Sequence, residues 1–228
     1  MSIEFDSRIT GVFKKEIKNR FRSEVLINDI VETCYIQSSS RLDNYVSLKN
    51  KKVILRKIDN PNKLKYSVLA KPYRRDFILL APMLANEIIF SELNKRIFSN
   101  LGYRKDALFE HMVNEYKADI YLPKQNKIIE IKALISDKKN GNIFPTVHSD
   151  RTLEQLDFFK KKLQSNFKCD FIILSLNPYY DCIRIDTSTS FYKKISDCIK
   201  LGMNIYAYSI SCLHNDIHIK KKIKIEYV

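Results

Sequence analysis

One stretch of this chain carries charged residues whose types and spacing are typical of a metal-dependent phosphodiesterase. Asp119 lies in one short apolar segment, and Glu130 and Lys132 lie in the next, as Glu-Ile-Lys. If Leu122 and Lys127 close the turn between these segments, the resulting hairpin places Asp119 directly opposite Glu130. Alternation along a strand then places Lys132 on the same face as Glu130.

Two opposed carboxylates indicate a metal ion between them. Side chains directly opposite each other on paired strands lie about 5 Å apart, and like charges there are destabilising. A divalent cation reverses the sign of that interaction, and carboxylate oxygens, water and phosphate suit Mg²⁺ or Mn²⁺. We therefore predict that Asp119 and Glu130 bind the metal. Lys132 would be catalytic, orienting the attacking water or stabilising negative charge on the phosphate.

The spacing alone leaves a second interpretation open. In a chain with 29% charged residues, an Asp followed by Glu-x-Lys also arises by chance, as an ordinary ion pair on a solvated strand face. Two observations favour the functional interpretation. Ile129 and Ile131 are expected to face the core, so the charged side chains of the strand lie together on its opposite face. The helix that follows carries Gln155, a second catalytic candidate that we expect to help position the nucleophile.

The elements that must position these residues lie in residues 77–228, where helical and strand patterns alternate. Apolar spacing predicts helices over 84–98, 149–163 and 191–201, the second with Ser149 as its N-cap. Strands are predicted over 118–122, 127–134, 169–176 and 204–210. This order predicts an α/β domain with a mixed sheet. The lysine-rich run 220–224 is expected to be an exposed strand edge that its lysines keep soluble.

Residues 1–76 have a different pattern of short strands separated by polar turns. Strands are predicted over 23–27, 30–36, 52–56 and 65–69. Short strands at this spacing predict a small β-barrel or sandwich. A five-stranded barrel of the oligonucleotide-binding kind fits this length. The chain therefore divides into two domains, 1–76 and 77–228, which we expect to pack together.

The net charge of +14 indicates a polyanionic partner, of which nucleic acid is the usual kind. An excess of Lys over Arg, 29 to 11, is also what codon bias in an AT-rich genome produces. The first domain has the higher charge density, with 17 basic and 9 acidic residues. Its candidate phosphate contacts are Arg20, Arg22, Lys51, Lys52, Arg56, Lys63, Arg74 and Arg75. The residues leave open whether the partner is DNA or RNA.

Other features exclude several classes of protein. No run approaches the roughly 20 apolar residues that span a bilayer. Residues 1–10 contain Glu4 and Asp6 without an apolar segment, so we expect no signal peptide. The five Cys are odd in number and include no CxxC pair, which disfavours a zinc site or a disulfide framework. These features predict a cytoplasmic protein with no membrane partner.

At the acidic pair the chain resembles the sugar fermentation stimulation proteins, whose core is of the Asp…Glu-x-Lys nuclease type. The resemblance extends over nearly the whole chain and is carried by Asn19-Arg20-Phe21, Asp59-Asn60-Pro61 with Lys63, Asn86, Asp119, Glu130-Ile131-Lys132, Phe144-Pro145, Arg151 and Gly202 to Tyr208. It implies an N-terminal oligonucleotide-binding-like barrel, a C-terminal restriction-endonuclease-like domain and DNA binding. We include Arg151 among the nucleic-acid-binding residues.

The chain also departs from the family pattern. The family's acidic residue in the first helix falls at Ser91, beside Glu92, and its Asp after Phe-Pro is Thr146. The family's histidine in the second helix is Gln155. These changes leave two hypotheses: a Mg²⁺- or Mn²⁺-dependent nuclease that binds DNA, and a non-catalytic, regulatory DNA-binding protein that keeps the nuclease fold.

Overall fold

The structure, a computed structural model, describes residues 3–4, 6, 9–17, 21–38, 41–59, 64–146 and 149–228. Its strands are Ile3–Glu4 (β1), Thr10–Glu16 (β2), Arg22–Ile27 (β3), Ile30–Ile36 (β4), Lys52–Lys57 (β5), Tyr66–Tyr73 (β6), Asp76–Leu79 (β7), Leu108–Val113 (β8), Tyr116–Leu122 (β9), Lys127–Leu134 (β10), Ile143–Phe144 (β11), Lys168–Ser175 (β12), Cys182–Ile185 (β13), Asn204–Ser211 (β14) and Asp216–Tyr227 (β15). Its α-helices are Ala85–Glu92 (α1), Asp150–Leu163 (α2) and Ser190–Lys200 (α3). Among the described residues, no helix is both long and apolar enough to cross a membrane.

The N-terminal strands form the predicted five-stranded barrel. Its five strands follow the order β4-β3-β2-β5-β6, and a parallel pairing of β4 with β6 closes the barrel. Strand β7 extends the sheet beyond β6. Register shifts in β2 between Phe13 and Lys15 and in β5 between Ile54 and Leu55 allow the strands to bend around it. Gly11 lies where β2 crosses β3 closely, because a Cβ there would be 2.5 Å from Val25 Cγ1.

The C-terminal strands form the predicted mixed sheet, with helices packed on it. Nine described strands run in the order β11-β13-β15-β14-β12-β10-β9-β8, with β1 also paired to β15. The central neighbours β10, β12 and β14 are parallel, and β8, β9 and β10 form an antiparallel meander. The fold is therefore an oligonucleotide-binding-type barrel joined to a restriction-endonuclease-like α/β (α+β) sheet.

Two hydrophobic clusters hold these layers together. The first extends from the barrel interior at Phe13 to α1 at Ile88 and to one side of the mixed sheet at Ile172 and Tyr208. The second contains Phe159 and other buried side chains between the opposite side of the sheet and helices α2 and α3. The barrel and the mixed sheet therefore share one continuous core, as their predicted packing requires.

Polar contacts also join the barrel to the mixed sheet. The predicted division between residues 76 and 77 falls inside β7, which pairs with β6. The buried Asp76 carboxylate accepts hydrogen bonds from Ser211 Oγ at 2.8 Å and Cys212 N at 2.9 Å. A second link is the buried ion pair of Lys71 with Asp137, 2.5 Å apart. The division itself stays a prediction.

One predicted helix differs from the structure, and the predicted strand edge holds for part of its length. The helix expected over 84–98 ends at Glu92, and a 3₁₀ helix, Arg96–Leu101, follows. The two short helices bury the apolar residues that one long helix was expected to bury, because Ile88 and Phe98 both lie in the first hydrophobic cluster. The lysine-rich run expected at a strand edge lies in β15. Strand β14 pairs with it on one side, and on the other side β13 pairs with β15 only from Lys224 onward. All four lysine side chains of the run are exposed: Lys220, Lys221, Lys222 and Lys224.

Candidate metal site

The hairpin of β9 and β10 has the register predicted from the sequence. Lys127 pairs with Leu122, and Ile129 pairs with Ile120. Between the strands, Pro123–Gln125 forms one 3₁₀ turn, which Asn126 ends in the left-handed conformation at φ 48°. Asp119 and Glu130 are the next residues along this register. The strand pairing agrees with the predicted register and ends at Ile129 and Ile120, one residue before the two carboxylates.

Hydrogen bonds fix both oxygens of Asp119. Its Oδ1 accepts from Asn86 Nδ2 and its Oδ2 from the backbone N–H of Ile131, each at 2.7 Å. Burial and the negative charge of Glu130 raise the pKa of Asp119 to about 7, although these hydrogen bonds and Lys132 act in the opposite direction. The ionised pair is therefore electrostatically unfavourable until a positive charge joins it.

Glu130 is buried, with 2% of its surface exposed. Its Oε1 accepts hydrogen bonds from Lys132 Nζ at 2.6 Å and from Gln155 Nε2 at 2.8 Å. Its Oε2 accepts from the hydroxyl of Tyr116. Glu130 and Lys132 are therefore part of a buried polar network rather than an ordinary ion pair on a solvated strand face.

Gln155 connects the helix layer to this network. It lies on α2, whose N-cap is Ser149 as predicted, since its side chain accepts from Thr152 N at 3.3 Å. Gln155 Oε1 accepts from Lys132 Nζ at 2.7 Å, while its amide donates to Glu130. One amide thus holds both charged partners in place. The structure brings together all four predicted members of the site: Asp119, Glu130, Lys132 and Gln155.

The donor set fits a hard divalent cation. A carboxylate oxygen has two lone pairs, and each Asp119 oxygen and Glu130 Oε2 accepts one hydrogen bond, so each keeps one lone pair. Mg²⁺ commonly takes one or two protein carboxylates, with water and substrate phosphate as its other ligands. No cluster of three or more His, Cys, Asp or Glu side chains suited to a metal occurs in the described parts of the chain.

The residues at the family's third acidic position do not join the pair. Glu92 is buried and accepts from the backbone N–H of Ile219 at 2.9 Å and from Lys95 Nζ at 2.6 Å. Ser91 donates its hydroxyl to the carbonyl of Ile88 at 3.0 Å. Glu92 therefore fastens α1 to β15 instead of extending the metal site.

A cavity of about 340 Å³ opens between the barrel and the mixed sheet, and it is lined by hydrogen-bond partners of the acidic pair, Asn86 and Lys132, rather than by the carboxylates themselves. The barrel side contributes Ser38 and Tyr45, and the mixed-sheet side contributes Asn86 and Lys132. The side chain of Lys132 is 24% exposed, and two of its three N–H donors contact Glu130 and Gln155. Its third donor is available to a group that enters the cavity.

Two residues of the site had no predicted role in it. Asn86 was noted only through the family resemblance, and its contact with Asp119 is a long-range feature. Tyr116 stacks on Phe158, with ring centroids 4.4 Å apart, and burial and Glu130 raise the pKa of its hydroxyl. Strict alternation along a strand puts Tyr116 and Asp119 on opposite faces of β9. The residue spacing therefore did not predict that Tyr116 contacts the acidic pair.

The predicted phosphate contacts are exposed side chains away from the acidic pair. Arg22 lies on β3, Lys51 and Lys52 lie at the start of β5, and Arg56 lies further along it. Among the described residues, no ion pair or hydrogen bond joins any of these four side chains to Asp119 or Glu130.

The other predicted phosphate contacts are three residues that the structure describes and two that it does not. Arg74 and Arg75 form the turn between β6 and β7. Arg151 is exposed in the first turn of α2, between the cavity-lining residues Ser149 and Thr152. Arg20 and Lys63, with their motif neighbours Asn19, Asn60 and Pro61, lie outside the described residues.

The chain thus combines an oligonucleotide-binding-type barrel with a mixed sheet that carries Asp119 and Glu130-Ile131-Lys132. No model of a known protein family matches the chain. The chain is 24% identical to the sugar fermentation stimulation protein homolog of Thermosipho melanesiensis, over 98% of this chain and 96% of the relative. It is 23% identical to the homolog of Pelagibacter ubique, over 95% and 96%.

The solved structures include a similar protein. The structure of Pyrococcus furiosus SfsA in complex with Ca²⁺ superposes with a TM-score of 0.81 at 16% identity, over 99% of both chains. The fold is therefore shared along the whole chain. The resemblance to the sugar fermentation stimulation proteins, stated from the sequence motifs, is confirmed by relatives that cover nearly all of it.

Proposed function

We propose that this protein binds nucleic acid and cleaves its phosphodiester bonds with a divalent cation, Mg²⁺ or Mn²⁺, held by Asp119 and Glu130. The observation that carries the proposal is the acidic pair of the buried Glu130 and the partly buried Asp119. Desolvation and the charge of Glu130 raise the pKa of Asp119 to about 7, beside the ammonium group of Lys132. The Pyrococcus furiosus relative was solved in complex with Ca²⁺, another divalent cation that prefers oxygen ligands.

The chain's own residues would divide the chemistry as follows. A cation bound at the pair supplies Lewis-acid polarisation of the phosphate and acidifies bound water. Lys132 faces the cavity and stabilises the negative charge that develops on a phosphate oxygen. Gln155 fixes Lys132 relative to Glu130, so both groups are positioned before the substrate arrives. Tyr116 donates a hydrogen bond to Glu130, and Asn86 donates one to Asp119, so these two residues orient the carboxylates.

The proposed substrate is nucleic acid, and the family resemblance favours DNA. The barrel is of a type that binds oligonucleotides, and it presents exposed Arg22, Lys52 and Arg56. The five cysteines are all free thiols, and free thiols persist in a reducing compartment. We accordingly propose that the protein acts in the cytoplasm.

A cleavage assay tests this proposal. The purified protein is incubated with end-labelled single-stranded DNA, double-stranded DNA and RNA, each with Mg²⁺, Mn²⁺ or a chelator. We expect cleavage of at least one substrate with a metal and none with the chelator. Binding without turnover for every substrate and both metals contradicts the nuclease proposal.

The second candidate is a non-catalytic nucleic-acid-binding protein that keeps the nuclease fold. The observation that favours it is the pair of family acids replaced by Ser91 and Thr146, while Glu92 contacts β15 instead. This candidate predicts an affinity for DNA that falls steeply with salt, as counterion release requires, together with no turnover. The cleavage assay therefore separates the two candidates.

A further inference from the structure

A cluster of cationic and aromatic side chains lies where the barrel meets the mixed sheet. We call Tyr73, Arg74, Arg75, Tyr179 and Lys220 the Tyr179 cluster. The guanidinium carbon of Arg74 lies 4.9 Å from the ring centroid of Tyr179 and 5.5 Å from that of Tyr73. The ammonium nitrogen of Lys220 lies 5.0 Å from the Tyr179 centroid. Cations at these distances are attracted by the ring quadrupole.

The backbone holds the cluster in place from both sides of the junction. Arg74 is in the left-handed region, at φ 55°, a conformation uncommon for residues other than glycine. The next backbone N–H, of Arg75, donates to the Tyr179 hydroxyl at 2.9 Å. On the other side, Lys220 Nζ donates to the carbonyl of Pro178 at 3.0 Å. The buried Asn177 side chain accepts from Tyr179 N at 3.0 Å.

The cations of the cluster have no acidic partners in the described part of the chain. No ion pair joins an Asp or Glu to Arg74, Arg75 or Lys220 among those residues. Nearby acids have other partners. Asp76, next to Arg75, accepts from Ser211 and Cys212, Asp181, two residues after Tyr179, pairs with Lys221, and Asp216, four residues before Lys220, contacts His218. Aromatic rings and a carbonyl therefore hold the exposed positive charges of Arg74 and Lys220 without neutralising them.

We infer that the Tyr179 cluster binds the phosphate backbone of a nucleic-acid strand that passes from the barrel onto the mixed sheet. This inference rests on the proposed function and adds residues of the second domain to the binding surface. Phosphate contact fits better than base stacking, because two cations already lie over the Tyr179 ring. The path continues along β15, where Lys222 Nζ lies 4.9 Å from the ring centroid of Tyr206.

Fluorescence anisotropy with a labelled single-stranded DNA of about 30 nucleotides, longer than the roughly 4–16 nucleotides that one barrel covers, tests this inference. On single-stranded DNA, each phosphate contact contributes about 0.7 to the magnitude of the slope of the logarithm of the association constant against the logarithm of the salt concentration. At ~0.1 M salt this corresponds to about a fivefold gain in affinity for each contact. The double variant Arg74→Ala/Lys220→Ala is therefore expected to bind about 25-fold more weakly. Its salt slope should fall by about 1.4.

The matched control removes two charges elsewhere on the surface. Lys193→Ala/Lys200→Ala makes the same change in net charge on α3, where both lysines are exposed, and should alter binding less than about twofold, as expected of screened distant charges. An equal loss for both double variants overturns the inference while leaving nucleic-acid binding intact. A wild-type protein that binds no nucleic acid overturns the proposed function as well.

A charge-neutral variant separates positioning from net charge. Tyr179→Leu leaves the charge unchanged but removes the ring that holds Arg74 and Lys220, so we expect roughly fivefold weaker binding, equivalent to one phosphate contact. Tyr179→Phe keeps the ring but loses the hydrogen bond from the Arg75 backbone N–H, so it should bind more tightly than Tyr179→Leu. Thermal unfolding checks that both variants are folded. Unchanged binding by folded Tyr179→Leu contradicts the inferred role of the ring.

Discussion

Glu130→Gln is expected to lower the rate of metal-dependent cleavage about 1,000-fold, since a metal ion contributes several kcal/mol of transition-state stabilisation. The amide keeps the size of the carboxylate but removes the charge that the cation needs. It also removes the anionic acceptor of Lys132 and of the Tyr116 hydroxyl. The measurement is the initial rate of cleavage with Mg²⁺ or Mn²⁺ under saturating metal.

Glu154→Gln is the matched control for this variant. Glu154 is exposed on α2, next to Gln155, and the same substitution there should leave the cleavage rate within about twofold of the wild type, as is usual for surface changes. Equal cleavage by Glu130→Gln and the wild type would attribute the activity to a contaminating nuclease. That result would contradict the assignment of Glu130 as a metal-binding residue of the nuclease site.

Asp170→Ala is expected to destabilise the protein by about 3–5 kcal/mol, because it leaves a buried charge without its partner. Lys127 Nζ lies 2.8 Å from Asp170 Oδ2, and the side chains are 7% and 1% exposed. Lys127 also donates to the carbonyl of Leu101 at 3.0 Å, and Asn204 donates to Asp170 at 2.9 Å. This network fixes the start of β10, the strand that carries Glu130.

Urea unfolding measures this effect, and two variants calibrate it. The double variant Lys127→Met/Asp170→Leu removes both charges and should be much closer to the wild type in stability, because buried pairs are often replaceable by apolar residues. Lys160→Ala breaks an exposed pair with Asp197 and should cost at most about 1 kcal/mol. A loss below ~1 kcal/mol for Asp170→Ala as well would contradict the buried-charge argument.

Local signals in the sequence predicted much of the site. The turn between β9 and β10 sets a register that needs no distant partner, so the opposition of Asp119 and Glu130 followed from counting residues. The N-cap at Ser149 and the bounds of β10 were predicted for the same reason. Because α2 follows β10 along the chain, Gln155 could also be proposed as a residue that reaches the acidic pair.

Long-range contacts account for what was missed. The contact of Asn86 with Asp119 depends on how α1 packs against β9 and β10, which no local pattern specifies. Tyr116 reaches Glu130 where the recorded pairing of the two strands has ended, beyond Ile129. Likewise, the lysines of β15 predicted an edge, and the point where that edge ends depends on the short strand β13, which pairs with β15 only from Lys224 onward.

Calorimetric titration of Mg²⁺ and Mn²⁺ into the wild type and Asp119→Asn tests most directly whether the acidic pair is a metal site. We expect binding heat for the wild type at about pH 8, where Asp119 is ionised, and apparent affinity that falls about tenfold per pH unit below the pKa of about 7. Asp119→Asn should give no such heat. A wild type without metal heat, or a variant that binds equally well, would contradict the assignment of this pair as the metal site.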